Sequence, residues 1–179
     1  MYLEVIIAGF GGQGVMLAGE VICEAATRMG VNATFFPSYG PETRGGTANC
    51  TVIVSDKPIA SPVLATSDNI IVMNRPSLDK FEPRVKKGGL LIVNSSLVDR
   101  KVERDDIEVL EIPANKIAED VVGNPLTANM VVLGAFIAKT GIIPLDEIKK
   151  AVEKFLGGRK KHLVEVNFKA LDEGAKLVK

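Results

Sequence analysis

The sequence predicts an α/β domain on a largely parallel sheet, and two observations carry that prediction. Short apolar runs rich in β-branched residues recur along the chain, and stretches with helical periodicity separate most of them. The chain has 179 residues, enough for one domain with a sizeable core, and its bounds are taken as 1–179.

Residues 3–8 (LEVIIA) read as a short buried strand that ends at Gly9. Residues 13–29 read as a helix, because Val15, Ala18, Val21, Ile22, Ala25 and Met29 recur at three- and four-residue steps. Gly30 is a natural stop. Residues 32–36 (NATFF) form a second strand. An irregular loop is expected from 37 to 46, since PSYGPETRGG holds two prolines and three glycines. A strand follows at 48–55. The link between these two strands is too short for a crossover helix, so a local antiparallel pair is expected. Residues 69–74, 89–94 and 107–112 are further strands, with a proline-interrupted helix between the first two.

The last third is mostly helical. A short helix is expected at 114–122. Pro125 then helps to start, and Gly141 to end, a helix that is apolar nearly all round and therefore buried. Leu145, Ile148, Val152 and Phe155 form one stripe of the next helix, and a final helix covers 161–178.

Lys plus Arg and Asp plus Glu both number 22, so no net field draws the chain to nucleic acid or anionic membrane. The longest apolar run, 130–138, is half of the ~18 residues a membrane-spanning helix needs. The start, MYLEVIIAG, lacks a basic leader and a cleavage pattern, and a cytoplasmic location is expected. Cys23 and Cys50 are expected as two buried thiols, and His162 is the single histidine. These are too few for a four-thiolate iron–sulfur cluster or a structural zinc site. Ser38, Ser95 and Ser96 read as ordinary loop serines, so no catalytic residue is assigned.

Gly9, Gly11 and Gly14 have the G-x-G-x-x-G spacing between a strand and a helix. Such a turn can bring backbone N–H groups and a helix N-terminus close to an anion. A dinucleotide site also needs a carboxylate at the end of the next strand. Phe35, Phe36, Pro37 and Ser38 offer none. The turn is therefore a structural tight turn, or a contact for an anionic group at an interface, with a dinucleotide as the weaker rival. Arg44, in the second glycine-rich loop, could grip a carboxylate or phosphate, or pair locally with Glu42. GGRKKH at 157–162 reads as a solvated turn or a weaker phosphate contact.

Four segments together, AGFGGQGVMLAGEVICEAATRMG, FPSYGPETRGGTANCTVIVSD, NPLTANMVVLGAFI and VNFKALDEG, resemble the gamma subunit of 2-oxoacid:ferredoxin oxidoreductases, most closely the 2-oxoglutarate type. Pyruvate, branched-chain and indolepyruvate forms share the outline. The resemblance implies a Rossmann-like three-layer α/β domain with a mostly parallel sheet and a helical C-terminal third. It implies a multi-subunit enzyme that converts a 2-oxoacid and coenzyme A to an acyl-CoA, carbon dioxide and reduced ferredoxin. Thiamine diphosphate, Mg2+ and an iron–sulfur cluster would lie on alpha and beta partners, with a delta subunit as a further candidate. This chain would bind none of these groups alone and would be inactive in isolation. Gly9, Gly11, Gly12 and Gly14 match the family's glycine turn. Tyr39, Gly40, Pro41, Glu42, Arg44, Gly45 and Gly46 match its second loop. Of these, Gly9, Gly11, Gly12, Gly14, Tyr39, Glu42, Arg44, Gly45 and Gly46 are the candidate ligand-facing residues. The basic turn 159–161 is a weaker candidate for coenzyme A phosphates.

Overall fold

The computed structural model describes residues 1–40, 47–158 and 161–178. Six strands form one sheet in the order β2-β3-β1-β4-β5-β6. They are β1 (Tyr2–Phe10), β2 (Asn32–Tyr39), β3 (Thr47–Ser55), β4 (Ser67–Val72), β5 (Val85–Asn94) and β6 (Glu108–Ile112). β1, β4, β5 and β6 pair in parallel. The expected antiparallel pair is present as β2 with β3. β3 then also runs antiparallel to β1, from Tyr2 opposite Ser55 to Phe10 opposite Thr47. A strand thus stands between β1 and β2, which a simple parallel reading does not anticipate. β1 is buried along almost its whole length, as expected for a central strand covered on both faces.

The helices are α1 (Val15–Arg28), α2 (Arg75–Phe81), α3 (Ala114–Ile117), α4 (Ala128–Thr140), α5 (Leu145–Leu156) and α6 (Lys161–Lys176). Alternation along β1 sorts them into layers. Leu3, Val5 and Ile7 pack with α1, α4, α5 and α6. Ile6 and Ala8 face the other way, onto Leu78 and Phe81 of α2 and the chain that leads into β6. α4 buries ten of its thirteen residues, matching its all-round apolar sequence. Its backbone lies against α6: a Cβ on Gly134 would stand 2.1 Å from the Leu171 carbonyl oxygen, and one on Gly174 would stand 1.8 Å from that of Val131.

Several boundaries differ from the sequence reading. Pro37, Ser38 and Tyr39 continue β2 instead of opening a loop. A proline fits there because β2 is an edge strand and needs no outward N–H bond. Met73 and Asn74 leave β4, and Asn74 caps α2 by accepting from Ser77 N. The 114–122 segment is a single α turn followed by a wider turn over Ala118–Val122. A one-turn 3-10 helix over Pro125–Thr127 precedes α4. Cys50 is buried, but Cys23 is only half-buried on α1. Among the described residues, no helix is long and apolar enough to cross a membrane.

Candidate functional site

β1, β4, β5 and β6 end at the same edge of the sheet. α1 leaves β1 for one face and α2 leaves β4 for the other, so a crevice opens between these two strand ends. Open α/β sheets commonly take ligands at such a point. Here the Gln13 side chain occupies it. Gln13 Oε1 accepts from Phe10 N (2.7 Å) and from Asn74 Nδ2 (2.8 Å), while its Nε2 donates weakly to the Met73 carbonyl at 3.4 Å. Gly9 is required by this arrangement, since a Cβ there would lie 2.6 Å from Gln13 Oε1.

The amide contacts continue along the edge. Asn94 is fully buried, and its Nδ2 donates to Asn115 Oδ1 (2.7 Å) and to the Met73 carbonyl (3.2 Å). Its Oδ1 accepts from Ala114 N and Ser96 N. These bonds tie β4, β5 and the start of α3 together with uncharged groups alone.

The predicted glycines divide by role. Gly9 and Gly14 serve close packing. Gly14 has φ +74°, and a Cβ on it would fall 2.3 Å from Asn129 Nδ2. Gly11 and Gly12 are exposed, and around Gly12 (φ +94°) no atom lies within 4 Å of where a Cβ would stand. Tyr39, 71% exposed at the end of β2, lines a hollow of about 340 Å3 with Phe10, Gly11, Gly12 and Gly14. The structure therefore brings Tyr39 to the glycine turn. Glu42, Arg44, Gly45 and Gly46 lie outside the described residues, as do Arg159 and Lys160 of the basic turn.

Two further hollows meet at Gly12. One, of about 160 Å3, is bounded by Gln13, Asn115 and Leu126; the other, of about 240 Å3, by α1, α4 and α6. Leu126 separates them and is 84% exposed on a turn braced by the Asn124 side chain, which accepts from Leu126 N. Among the described residues, the side chains lining the three hollows are apolar or neutral, with the Tyr39 phenol as the one ionisable group. Asn129, in the first turn of α4, donates from Nδ2 to the Gly14 carbonyl at 3.1 Å. Its Oδ1 is buried without a partner among the described residues. Leaving such a group unmatched costs about 1–3 kcal/mol.

Sequence reasoning missed Gln13, Asn74, Asn94, Asn115 and Asn129. A signal was present: IIVMN and GLLIVN each close an apolar strand with asparagine, where a side-chain amide can cap or bridge loop backbone. Neither cysteine offers a ready metal-binding thiolate. Burial pushes the Cys50 thiol up to about 12, and the thiol donates to the Val15 carbonyl. Burial also raises the Cys23 thiol.

This is a three-layer α/β domain whose glycine turn is braced from within and exposes backbone donors at its tip. Residues 4–177 match the family described as pyruvate ferredoxin/flavodoxin oxidoreductase, and the chain belongs to that family. The 2-oxoglutarate synthase subunit KorC of Methanocaldococcus jannaschii is 34% identical over 181 residues, covering 100% of this chain and 95% of the relative. The ketoisovalerate oxidoreductase subunit VorA of Methanothermobacter marburgensis is 36% identical over 175 residues. That match covers 97% of this chain but 36% of VorA, so the chain spans about a third of the length of that relative. Among solved structures, the gamma subunit of a keto/oxoacid ferredoxin oxidoreductase from Geobacter sulfurreducens is similar with a TM-score of 0.85, at 33% identity over 98% of each chain.

The dinucleotide rival meets a topological obstacle as well as the missing carboxylate. With β3 interposed, the end of β2 lies two strand spacings from β1, about 9–10 Å away instead of about 4.8 Å.

Proposed function

We propose that this chain is the gamma subunit of a 2-oxoacid:ferredoxin oxidoreductase, of the 2-oxoglutarate type. The assembled enzyme oxidatively decarboxylates a 2-oxoacid with coenzyme A, yielding an acyl-CoA and carbon dioxide and passing two electrons to ferredoxin. The carrying observation is that the described rim offers backbone donors and neutral amides, and no acid–base pair. Such a surface binds and orients but does not break bonds. The near-full-length likeness to KorC supports the 2-oxoglutarate type.

The residues present fit coenzyme A. α1 carries no side-chain cap, so its first amides are free to face an anion beside the open Gly12. In the assembly, coenzyme A supplies the thiol that receives the acyl group, and this chain holds and orients it. The residues do not fit an iron–sulfur cluster, because two separated thiols raised by burial are poor ligands. In this reading the cluster, thiamine diphosphate and Mg2+ are carried by alpha and beta partners in a cytoplasmic complex.

Coexpression tests the proposal. The chain should copurify with thiamine-binding and cluster-bearing subunits, and the assembly should reduce ferredoxin only when both a 2-oxoacid and coenzyme A are supplied. Steady decarboxylation by the lone chain, given soluble cofactors and an electron acceptor, would overturn it. Micromolar NADH binding by the isolated chain would favour the dinucleotide rival.

A further inference from the structure

The two faces of the sheet are covered by different means. One face carries α1, α4, α5 and α6. On the other, the cover among the described residues is α2, of seven residues, with two irregular segments, 57–66 before β4 and 95–107 between β5 and β6. Leu64 of the first segment and Val98 and Val102 of the second are partly buried against one apolar cluster that includes Ile70, Leu78 and Phe81. A crossover between parallel strands is usually a helix, which closes its own hydrogen bonds. From Val98 to Asp106 the second segment instead alternates partly buried and exposed residues one by one, as an extended strap does. Its backbone has to find partners elsewhere.

Those partners converge on the 3-10 turn Glu82–Arg84, which follows α2. Glu82 is 4% exposed. Its Oε1 accepts from Glu103 N (2.6 Å) and Arg104 N (3.0 Å), and its Oε2 pairs with Arg100 at 2.8 Å. Charge-assisted bonds of this kind are about twice as strong as neutral ones. Arg104 returns the contact by donating from Nη1 to the Glu82 and Val85 carbonyls. Two residues beyond Glu82, Arg84 donates to the Leu64 and Ala65 carbonyls of the other segment, and its guanidinium lies 5.0 Å from the centre of the Phe81 ring. One turn thus grips both segments, with an acid on one side and a base on the other. The ends of the strap are fixed to the sheet separately: Ser95 N donates to the Ile112 carbonyl and Gly88 N to the Asp106 carbonyl, both at 2.8 Å.

We propose that the Glu82–Arg84 turn is a latch, and that segments 57–66 and 95–107 open and close together as one conformational unit while the sheet and the helical layer stay folded. Loss of the Glu82 bonds frees the strap, which uncovers the cluster on which Leu64 also packs. Loss of the Arg84 bonds undermines the same cluster from the other segment. Partly buried side chains and few backbone bonds make such a unit easier to open than the layer in which α4 and α6 touch through Gly134 and Gly174.

The test is thiol labelling of the full chain carrying Leu64→Cys or Val102→Cys, read by peptide mass. Cys50, fully buried in the helical layer, reports global unfolding in the same digest. Labelling at positions 64 and 102 should share one shallow dependence on urea, while Cys50 follows a steeper one, since the slope scales with the surface exposed. Glu82→Gln should speed labelling at both positions about tenfold, position 64 included although Glu82 does not touch it. Arg84→Gln should likewise speed labelling at position 102. If each substitution speeds only its own segment, or if neither changes labelling by more than about twofold, the turn does not latch the two segments together. Should either variant fail to fold, the urea dependences measured without it decide. Different slopes at positions 64 and 102, or slopes equal to that of Cys50, overturn the proposal.

Discussion

The two ends of the parallel sheet handle polarity in opposite ways. At the end where β1 begins, Glu4 is 2% exposed and carries a charge. It accepts from Tyr2 Oη (2.6 Å), Lys86 Nζ (2.6 Å) and Asp68 N (2.9 Å), and its backbone carbonyl accepts from Asn69 Nδ2. Burial opposes that charge, but the bonds from Lys86, Tyr2 and the Asp68 amide outweigh it and hold the carboxyl below its ordinary value. The hydrogen bond to Glu4 in turn raises the Lys86 ammonium and pushes the Tyr2 phenol up to about 12. At the opposite end Gln13, Asn74, Asn94 and Asn115 join loops with neutral amides, while Asn129 keeps an oxygen to spare. One end is closed by matched charges. The other is braced by groups that do not titrate and leaves the glycine turn exposed beside a hollow.

Substitutions can break that contrast, and the largest effect is expected at Gly14. Gly14→Ala combines a left-handed backbone with a collision against the pinned Asn129 amide. It should cost about 3 kcal/mol in a denaturant titration, by strain and overpacking. Asn94→Ala removes four hydrogen bonds from a buried position. It should cost about 2–3 kcal/mol by the same measurement, because the stranded partners stay largely buried. Gln13→Ala frees Phe10 N and Asn74 Nδ2 in a more open place and should cost about 1–2 kcal/mol. Amide exchange at residues 10–14 should quicken in this variant, while exchange at the Glu4 end should not change.

The smallest stability change, with the sharpest pH signature, is expected from Glu4→Gln. Lys86 and Tyr2 are exposed enough to find water, so the loss should be about 1 kcal/mol at neutral pH. The folded carboxyl titrates below 4.5, so its stabilisation is present above that pH and fades as pH falls through the folded value. Thermal midpoints measured from pH 6 down to pH 3 should therefore fall less steeply in Glu4→Gln than in wild type. Identical slopes would show that the Glu4 cluster contributes no such linkage.

Much of this was legible in the sequence, for reasons that can be traced to particular residues. β1, β4 and β5 are dense β-branched runs, and α4 is apolar on every side, so burial alone named them. Gly141 ends α4 with φ +63°, as its position implied. Pro37 misled, because a residue that reads as a loop former also suits an edge strand. The glycine turn was found by spacing, yet its division into packing glycines and open glycines was not. That division depends on Gln13 and on Asn129, which is 115 residues away from Gly14 in the chain.

By itself, the sequence determined the succession of strands and helices and the place of the glycine turn, because local periodicity, helix stops and strand runs are short-range properties of neighbouring residues. Only the tertiary structure decided that β3 stands between β1 and β2, that Gln13 fills the crevice, and that Asn129 Oδ1 is buried with no partner among the described residues. The physical reason is that strand pairing and hydrogen-bond satisfaction are settled between residues distant in the chain, where no local pattern records which groups will find partners and which will not.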